Sequence, residues 1–195
     1  GAILKVILDC CLLTDDEKRT LLRTEPAAKP FIRRLYGSEE FINGINRWCL
    51  WLVGCSADDL QRMPEVRKRV AAVKKHRLAS ARETTRGLAG TPSLFGEIRQ
   101  PSTDYLLIPR VSSETRRYIP IGFLKSSIIA SDATLVVPSA KRYHFGILTS
   151  EMHMAWVRQV CGRLKSDFRY SNRLVYNNYP WPAAPTEKQT AKIVE

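Results

Sequence analysis

Near residue 90 the apolar residues of this chain change period, and that change restricts the fold more than any other feature. Upstream, in "SADDLQRMPEVRKRVAAVKKHRLASARETTRGLAG", Leu60, Met63, Val66, Val70 and Val73 recur at helical spacing. Downstream, from Thr91 to Pro138, short apolar runs ("FGEI", "DYLLI", "RRYIPIGFL", "SSIIA", "ATLVV") alternate with Pro, Ser and Gly, the rhythm of antiparallel strands. Two periods in separate blocks predict an α+β fold: a mixed antiparallel β-sheet with flanking helices.

The punctuation around these blocks sets the other elements. Residues 1–13 are apolar and read as a strand or its remnant, and so abrupt a start looks cut from something larger. Thr14 with Glu17 three residues on forms a capping box, which opens a helix over 14–25 that Pro26 ends. Gly37 and the Asn43-Gly44 pair mark turns, and "RWCLWLV" reads as a buried strand. Ser56 caps a helical segment over 56–88, with Pro64 in the first turn of its second helix. Residues 146–165 return to helix, the long C-terminal one, capped by Ser150 with Met154, Val157, Val160, Cys161 and Leu164 as its stripe. After a proline-rich tail, residues 183–195 begin a further helical region that stops after its first turns.

Charge narrows the partners. Lys and Arg number 31 against 19 acidic residues, a formal excess of +12, which points to a polyanion: DNA, RNA or an anionic membrane surface. No apolar run approaches the roughly 20 residues needed to cross a bilayer, and acidic residues break any signal-peptide layout, so the expectation is a cytoplasmic protein. The polar face of 56–88 carries Arg67, Lys68, Arg69, Lys74, Lys75 and Arg77. That face suits a solvated exterior and suits phosphate contact equally well.

Enzymatic motifs are scarce. There is no Gly-x-Gly-x-x-Gly and no Gly-Lys-Ser/Thr loop. The five cysteines form no Cys-x-x-Cys pair, and the three histidines lack ligand spacing, which argues against structural zinc. Ser150, Glu151 and His153 invite a hydrolase reading, but a capping serine explains Ser150 better. "YNNYPWP" has the Asn, Pro and aromatic ingredients of an amine-methylating motif without its Pro-Pro, so a packed tail is the better reading. In "DFRYSNR", Phe168 and Tyr170 interleave with Arg169 and Arg173, which suits nucleic-acid contact or ordinary packing alike.

One stretch asks for more. "RVSSETRRYIP" places Arg110, Glu114, Arg116 and Arg117 around Ser112 and Ser113, between the apolar runs "DYLLIP" and "YIPIGFL". It reads as a charged loop held out by a hairpin or sheet edge. Its side chains either present hydrogen-bonding groups to something planar or simply solvate the loop, with Glu114 pairing to Arg116 or Arg117.

Three stretches taken together resemble one family. "IRRLYGSEEFINGINRWCLWL", "LFGEIRQPSTDYLLIPRVSSETRRYIPIGFL" and "HFGILTSEMHMAWVRQVCGRLKSDFRYSNRLVYNNYPWP" are similar, in that order, to the target-recognition region of MmeI-like proteins, large bacterial adenine-specific DNA methyltransferases often fused to a restriction nuclease. The resemblance runs from about Leu12 to Pro182. It implies a DNA target-recognition domain over 1–182, non-catalytic by itself, with double-stranded DNA and an adjacent methyltransferase domain of the same polypeptide as partners. It implies no cofactor in this fragment and S-adenosylmethionine in the parent enzyme. It makes Glu114 and Arg116 the leading base contacts, with Arg110 and Arg117 next, since Arg donates two hydrogen bonds to guanine and Glu accepts one from cytosine. Lys74, Lys75, Arg77, Ser112, Ser113, Arg169 and Arg173 are the expected backbone contacts. An RNA-binding or protein-interaction module is the competing reading.

Overall fold

In the computed structural model, which describes residues 11–194, the chain forms two compact units. One takes the residues up to Leu35 together with Asn46–Arg99; the other takes Tyr36–Ile45 and Gln100 onward. The fold is α+β, with antiparallel pairing in each unit. The strand expected over 1–13 falls largely outside the described residues, of which Leu12–Leu13 is a short strand.

In the first unit, β1 (Leu12–Leu13), β3 (Trp48–Leu50) and β2 (Ile32–Tyr36) pair antiparallel, with Leu12 opposite Cys49 and Arg33 opposite Cys49 from the other side. The expected caps are present. Thr14 Oγ1 accepts from the Glu17 N–H at 3.2 Å while Glu17 reaches back to the Thr14 N–H at 2.8 Å, opening the helix Asp15–Thr24. Ser56 caps Ala57–Gln61, and Pro64 sits at the start of the helix Pro64–Leu78. A buried carboxylate completes that second start: Glu25 accepts from the backbone N–H groups of Glu65 and Val66. A negative charge there satisfies orphan donors and opposes the positive end of the helix dipole. Met63, Val66 and Val70 then pack with Leu13, Leu21 and Leu50 in one core.

In the second unit, β4 (Tyr105–Pro109) is the middle strand between β6 (Gly122–Leu124) and β8 (Thr134–Pro138), with the short β7 (Ile129–Ala130) between those two in the chain. Its residues Tyr105 to Ile108 are wholly buried, which is why they read as a continuous apolar run instead of an alternating one. A second antiparallel sheet orders β5 (Val111–Ser112), β10 (Asp167–Arg169) and β9 (Gly162–Leu164). Leu106 and Ile108 share a core with Met154 and Val157 from the helix Glu151–Val160 and with Phe168 and Tyr170.

Three expectations change. Residues 94–104 hold no strand, so "FGEI" is loop and the β-rich part begins at Tyr105. The helix expected over 146–165 is two helices, Arg142–Leu148 and Glu151–Val160, because Ser150 starts a new one by accepting from the His153 N–H at 3.1 Å. It ends early because Gly162–Leu164 pairs with Asp167–Arg169 in a hairpin, a tertiary gain that overrides the helical spacing of Cys161 and Leu164. The C-terminal helix is therefore 10 residues long. Residues Glu187–Val194 form a helix, as expected.

Candidate nucleic-acid interface

The charged loop is not the tip of a hairpin. It leaves one sheet at β5 and enters the other at β6. Arg110 is the hinge between the two: its N–H donates to Ala133 O at 3.0 Å beside β8, and its carbonyl accepts from the Tyr170 N–H at 2.7 Å beside β10. Backbone bonds to two sheets fix the residue where the loop begins. The Arg110 side chain is half-buried, with Nε enclosed and unpartnered.

Within the loop each candidate has a distinct state. Ser112 is 3% exposed, and its Oγ has no partner. Ser113 Oγ lies 2.9 Å from Thr115 Oγ1 and accepts from the Thr115 N–H at 3.3 Å, so it caps the turn. Glu114 pairs with Arg163 at 3.5 Å, not with the neighbouring arginines. Arg163 is itself held twice more, by donating to Ser166 O at 2.9 Å and by lying 4.0 Å from the ring centre of buried Phe168. Arg117 is committed elsewhere: Nε and Nη2 donate to Glu151 Oε1 at 2.9 and 2.6 Å, and Tyr118 donates to the same oxygen at 2.8 Å. Those hydrogen bonds, Arg117 first, hold the Glu151 carboxyl below its usual range. Arg116 alone in the loop keeps an exposed guanidinium without a side-chain partner among the described residues.

The remaining candidates divide. Arg169 is exposed on β10 opposite Val111, and Arg173 is exposed in the turn Asn172–Tyr176. Lys74 and Lys75 are exposed on the Pro64–Leu78 helix. Arg77 is the correction. It is 1% exposed, and its guanidinium donates to the carbonyls of Leu88, Thr91 and Leu94 at 2.7, 2.8 and 2.8 Å. A phosphate could recruit it only by breaking all three, so Arg77 is an interior strut and the expected backbone contact there is withdrawn. Ser112, nearly enclosed in β5, is likewise no open phosphate ligand.

The two enzyme-like motifs resolve to structure. Ser150 Oγ donates to Ile147 O at 2.7 Å while capping its helix, and His153 is fully buried with Nε2 3.0 Å from the Tyr170 hydroxyl. Tyr179 is buried, its ring 5.0 Å from His153 and 5.5 Å from Trp181, as a packed tail requires. No group of three or more His, Cys, Asp or Glu that could hold a metal occurs among the described residues. None of their helices is long and apolar enough to cross a membrane.

An α+β scaffold that clamps both ends of an arginine-rich loop and leaves one guanidinium exposed is the arrangement of a recognition module. The chain belongs to the MmeI target recognition domain family, whose model matches residues 9–183. It is 38% identical over 178 residues to DNA methyltransferase A of Bacillus subtilis (strain 168), covering 91% of this chain and 20% of that protein. It also superposes, at a TM-score of 0.90 and 48% identity, on the Type IIL restriction-modification enzyme MmeI in complex with DNA, over 93% of this chain and 24% of that one. The chain thus spans about a fifth to a quarter of the length of these relatives.

Proposed function

We propose that this chain is the sequence-specific DNA-recognition domain of a larger bacterial adenine-specific DNA methyltransferase of the restriction-modification type, acting in the cytoplasm. It positions duplex DNA so that an adjacent methyltransferase domain of the same polypeptide can flip an adenine and methylate its exocyclic amine. S-adenosylmethionine would supply the methyl group in that other domain; this chain has no Gly-x-Gly turn to hold it. The observation that carries the reading is the free Arg116 guanidinium two residues from Glu114 on a doubly anchored loop, in a chain 48% identical to one described in complex with DNA.

The roles follow from the chemistry. Arg116 presents a planar donor pair suited to the guanine edge, and Glu114 an acceptor suited to the cytosine amine. Arg110 and Arg117 are secondary: the first is partly enclosed, and the second must release Glu151 before it can reach a base. Lys74, Lys75, Arg169 and Arg173 are exposed cations that supply sequence-independent attraction to phosphates. Ser113 shapes the turn.

Two expected results test this. Randomised duplexes selected on the chain should show a base preference, and Glu114→Gln should relax it at one position by about 1–3 kcal/mol, because the amide keeps the shape but loses the charge, offers one acceptor oxygen where the carboxylate offered two and adds a donor. Replacing both Lys74 and Lys75 with alanine should weaken binding to all sequences alike and lower the slope of log affinity against log salt by about 2. Duplex RNA that competes as well as duplex DNA, or an affinity indifferent to salt, would overturn the proposal.

A further inference from the structure

We infer that the open groove beside the charged loop is a second base-reading subsite, one that accepts hydrogen bonds from the exocyclic amine of cytosine or adenine. This rests on the proposed DNA-recognition function and adds residues to it. The groove has a volume of about 300 Å³ and lies between the helix Ser38–Asn43, the strand Val111–Ser112 and the start of β10, all within the second unit. Its polar lining includes Glu39, Asn43, Ser112, Arg116 and Asp167.

Three of those side chains have no internal task. Glu39 and Asn43 are exposed and Asp167 is half-exposed, and none of the three has a side-chain hydrogen bond or ion pair among the described residues. Helix capping does not explain Glu39, because Glu40 takes that role by accepting from the Gly37 N–H at 3.0 Å. The hairpin turn does not use Asp167 either; it is tied by Arg163 to Ser166 O. Ser112 contributes only to the floor, since its hydroxyl is enclosed in β5 and out of a ligand's reach, so the hydrogen-bonding groups of the groove are Glu39, Asn43, Arg116 and Asp167.

Charge selects that occupant. Two carboxylates against one guanidinium repel a phosphate, so the groove is not a seat for the DNA backbone. Ionised carboxylates only accept hydrogen bonds. In the major groove the amine donors belong to cytosine N4 and adenine N6, whereas guanine shows two acceptors that would face the carboxylates unpaired. Asn43 can both donate and accept, as an adenine edge requires. Arg116 belongs to both the loop and the groove, so the amine-bearing base is expected close to the one read by the loop.

The test is selection of randomised duplexes on the 195-residue chain, with Asp167→Asn and Glu39→Gln compared with wild type and with Glu114→Gln. Each groove variant should reduce discrimination for an amine-bearing base at one position by about 10-fold while total DNA affinity holds or rises, since a negative charge is lost. A purely structural role would lower affinity for all sequences and would not produce that split. If both groove variants keep the wild-type preference at every position while Glu114→Gln alters it, the subsite is overturned and the proposed function stands. If wild type shows no preference at all, both fall together.

Discussion

Arg77→Met is expected to destabilise the protein by about 1–3 kcal/mol, the range for leaving buried hydrogen-bonding groups without their partner. Methionine keeps most of the side-chain volume, so the loss isolates the guanidinium. Three carbonyls, of Leu88, Thr91 and Leu94, each receive one of its N–H groups at 2.7 to 2.8 Å, and the variant removes all three donors from this part-buried site. Charge-assisted bonds of this kind are roughly twice as strong as neutral ones. Besides these bonds the segment is tied by turn bonds from the Thr91 and Leu94 N–H groups to Leu88 O and Thr91 O and by the Phe95 ring stacked on Trp51, and it forms no strand before Tyr105. Arg77→Lys should recover only part of the loss, because one ammonium cannot place three donors in the fork geometry of a guanidinium. Urea midpoints for the two variants provide the measurement, and a change below about 1 kcal/mol for Arg77→Met would refute the strut role. The same variant should leave the salt slope of DNA binding unchanged where it remains folded, since an interior cation releases no counterions.

Arg77 also shows what sequence can and cannot convey. Its position continues the stripe of Val66, Val70 and Val73 by one more helical step, and periodicity alone would have placed it inside. Its charge argued the other way, because arginine is almost never buried without partners, and those partners are backbone carbonyls of a loop that carries no signature of its own. The caps at Thr14, Ser56 and Ser150 were legible because each uses groups within three residues of one another. The strands Tyr105–Pro109 and Thr134–Pro138 were legible because their apolar runs are short and bounded by turn residues. Glu114 marks the opposite limit. Its partner, Arg163, lies 49 residues away by number, on a strand that helical spacing had concealed. Non-local pairing of that kind has no local pattern to read, and the groove formed by Glu39, Ser112 and Asp167 is hidden for the same reason.

Acid should destabilise this protein before most of its carboxylates titrate, and His153 is the main cause. The ring is fully buried, and burial lowers its pKa from 6.5 to about 4. The native state therefore holds it neutral, while an unfolded chain binds a proton below about pH 6.5. More protons on the unfolded state mean that stability rises with pH, so the contribution of His153 is complete above 6.5 and drains away as pH falls toward 4. The full difference corresponds to roughly 3 kcal/mol. The site explains why no counter-charge rescues the imidazolium: Nε2 faces the Tyr170 hydroxyl at 3.0 Å, and the rings of Tyr170 and Tyr179 lie at 5.8 and 5.0 Å. Burial holds the Tyr170 phenol well above its normal range, so it stays neutral throughout. His153→Gln removes the titration and keeps a group able to bond that hydroxyl. Acidification from pH 7 to pH 4 should then cost wild type roughly 3 kcal/mol more than the variant in urea unfolding. The carboxylates of Asp15, Glu17, Asp59, Asp104 and Glu151, all lowered by their native hydrogen bonds, lose their contributions at lower pH and do so equally in both proteins, so the difference between the two curves belongs to His153. Parallel curves from pH 7 to pH 4 would mean that the imidazole is solvated or paired, contrary to its closed position against the rings of Tyr170 and Tyr179.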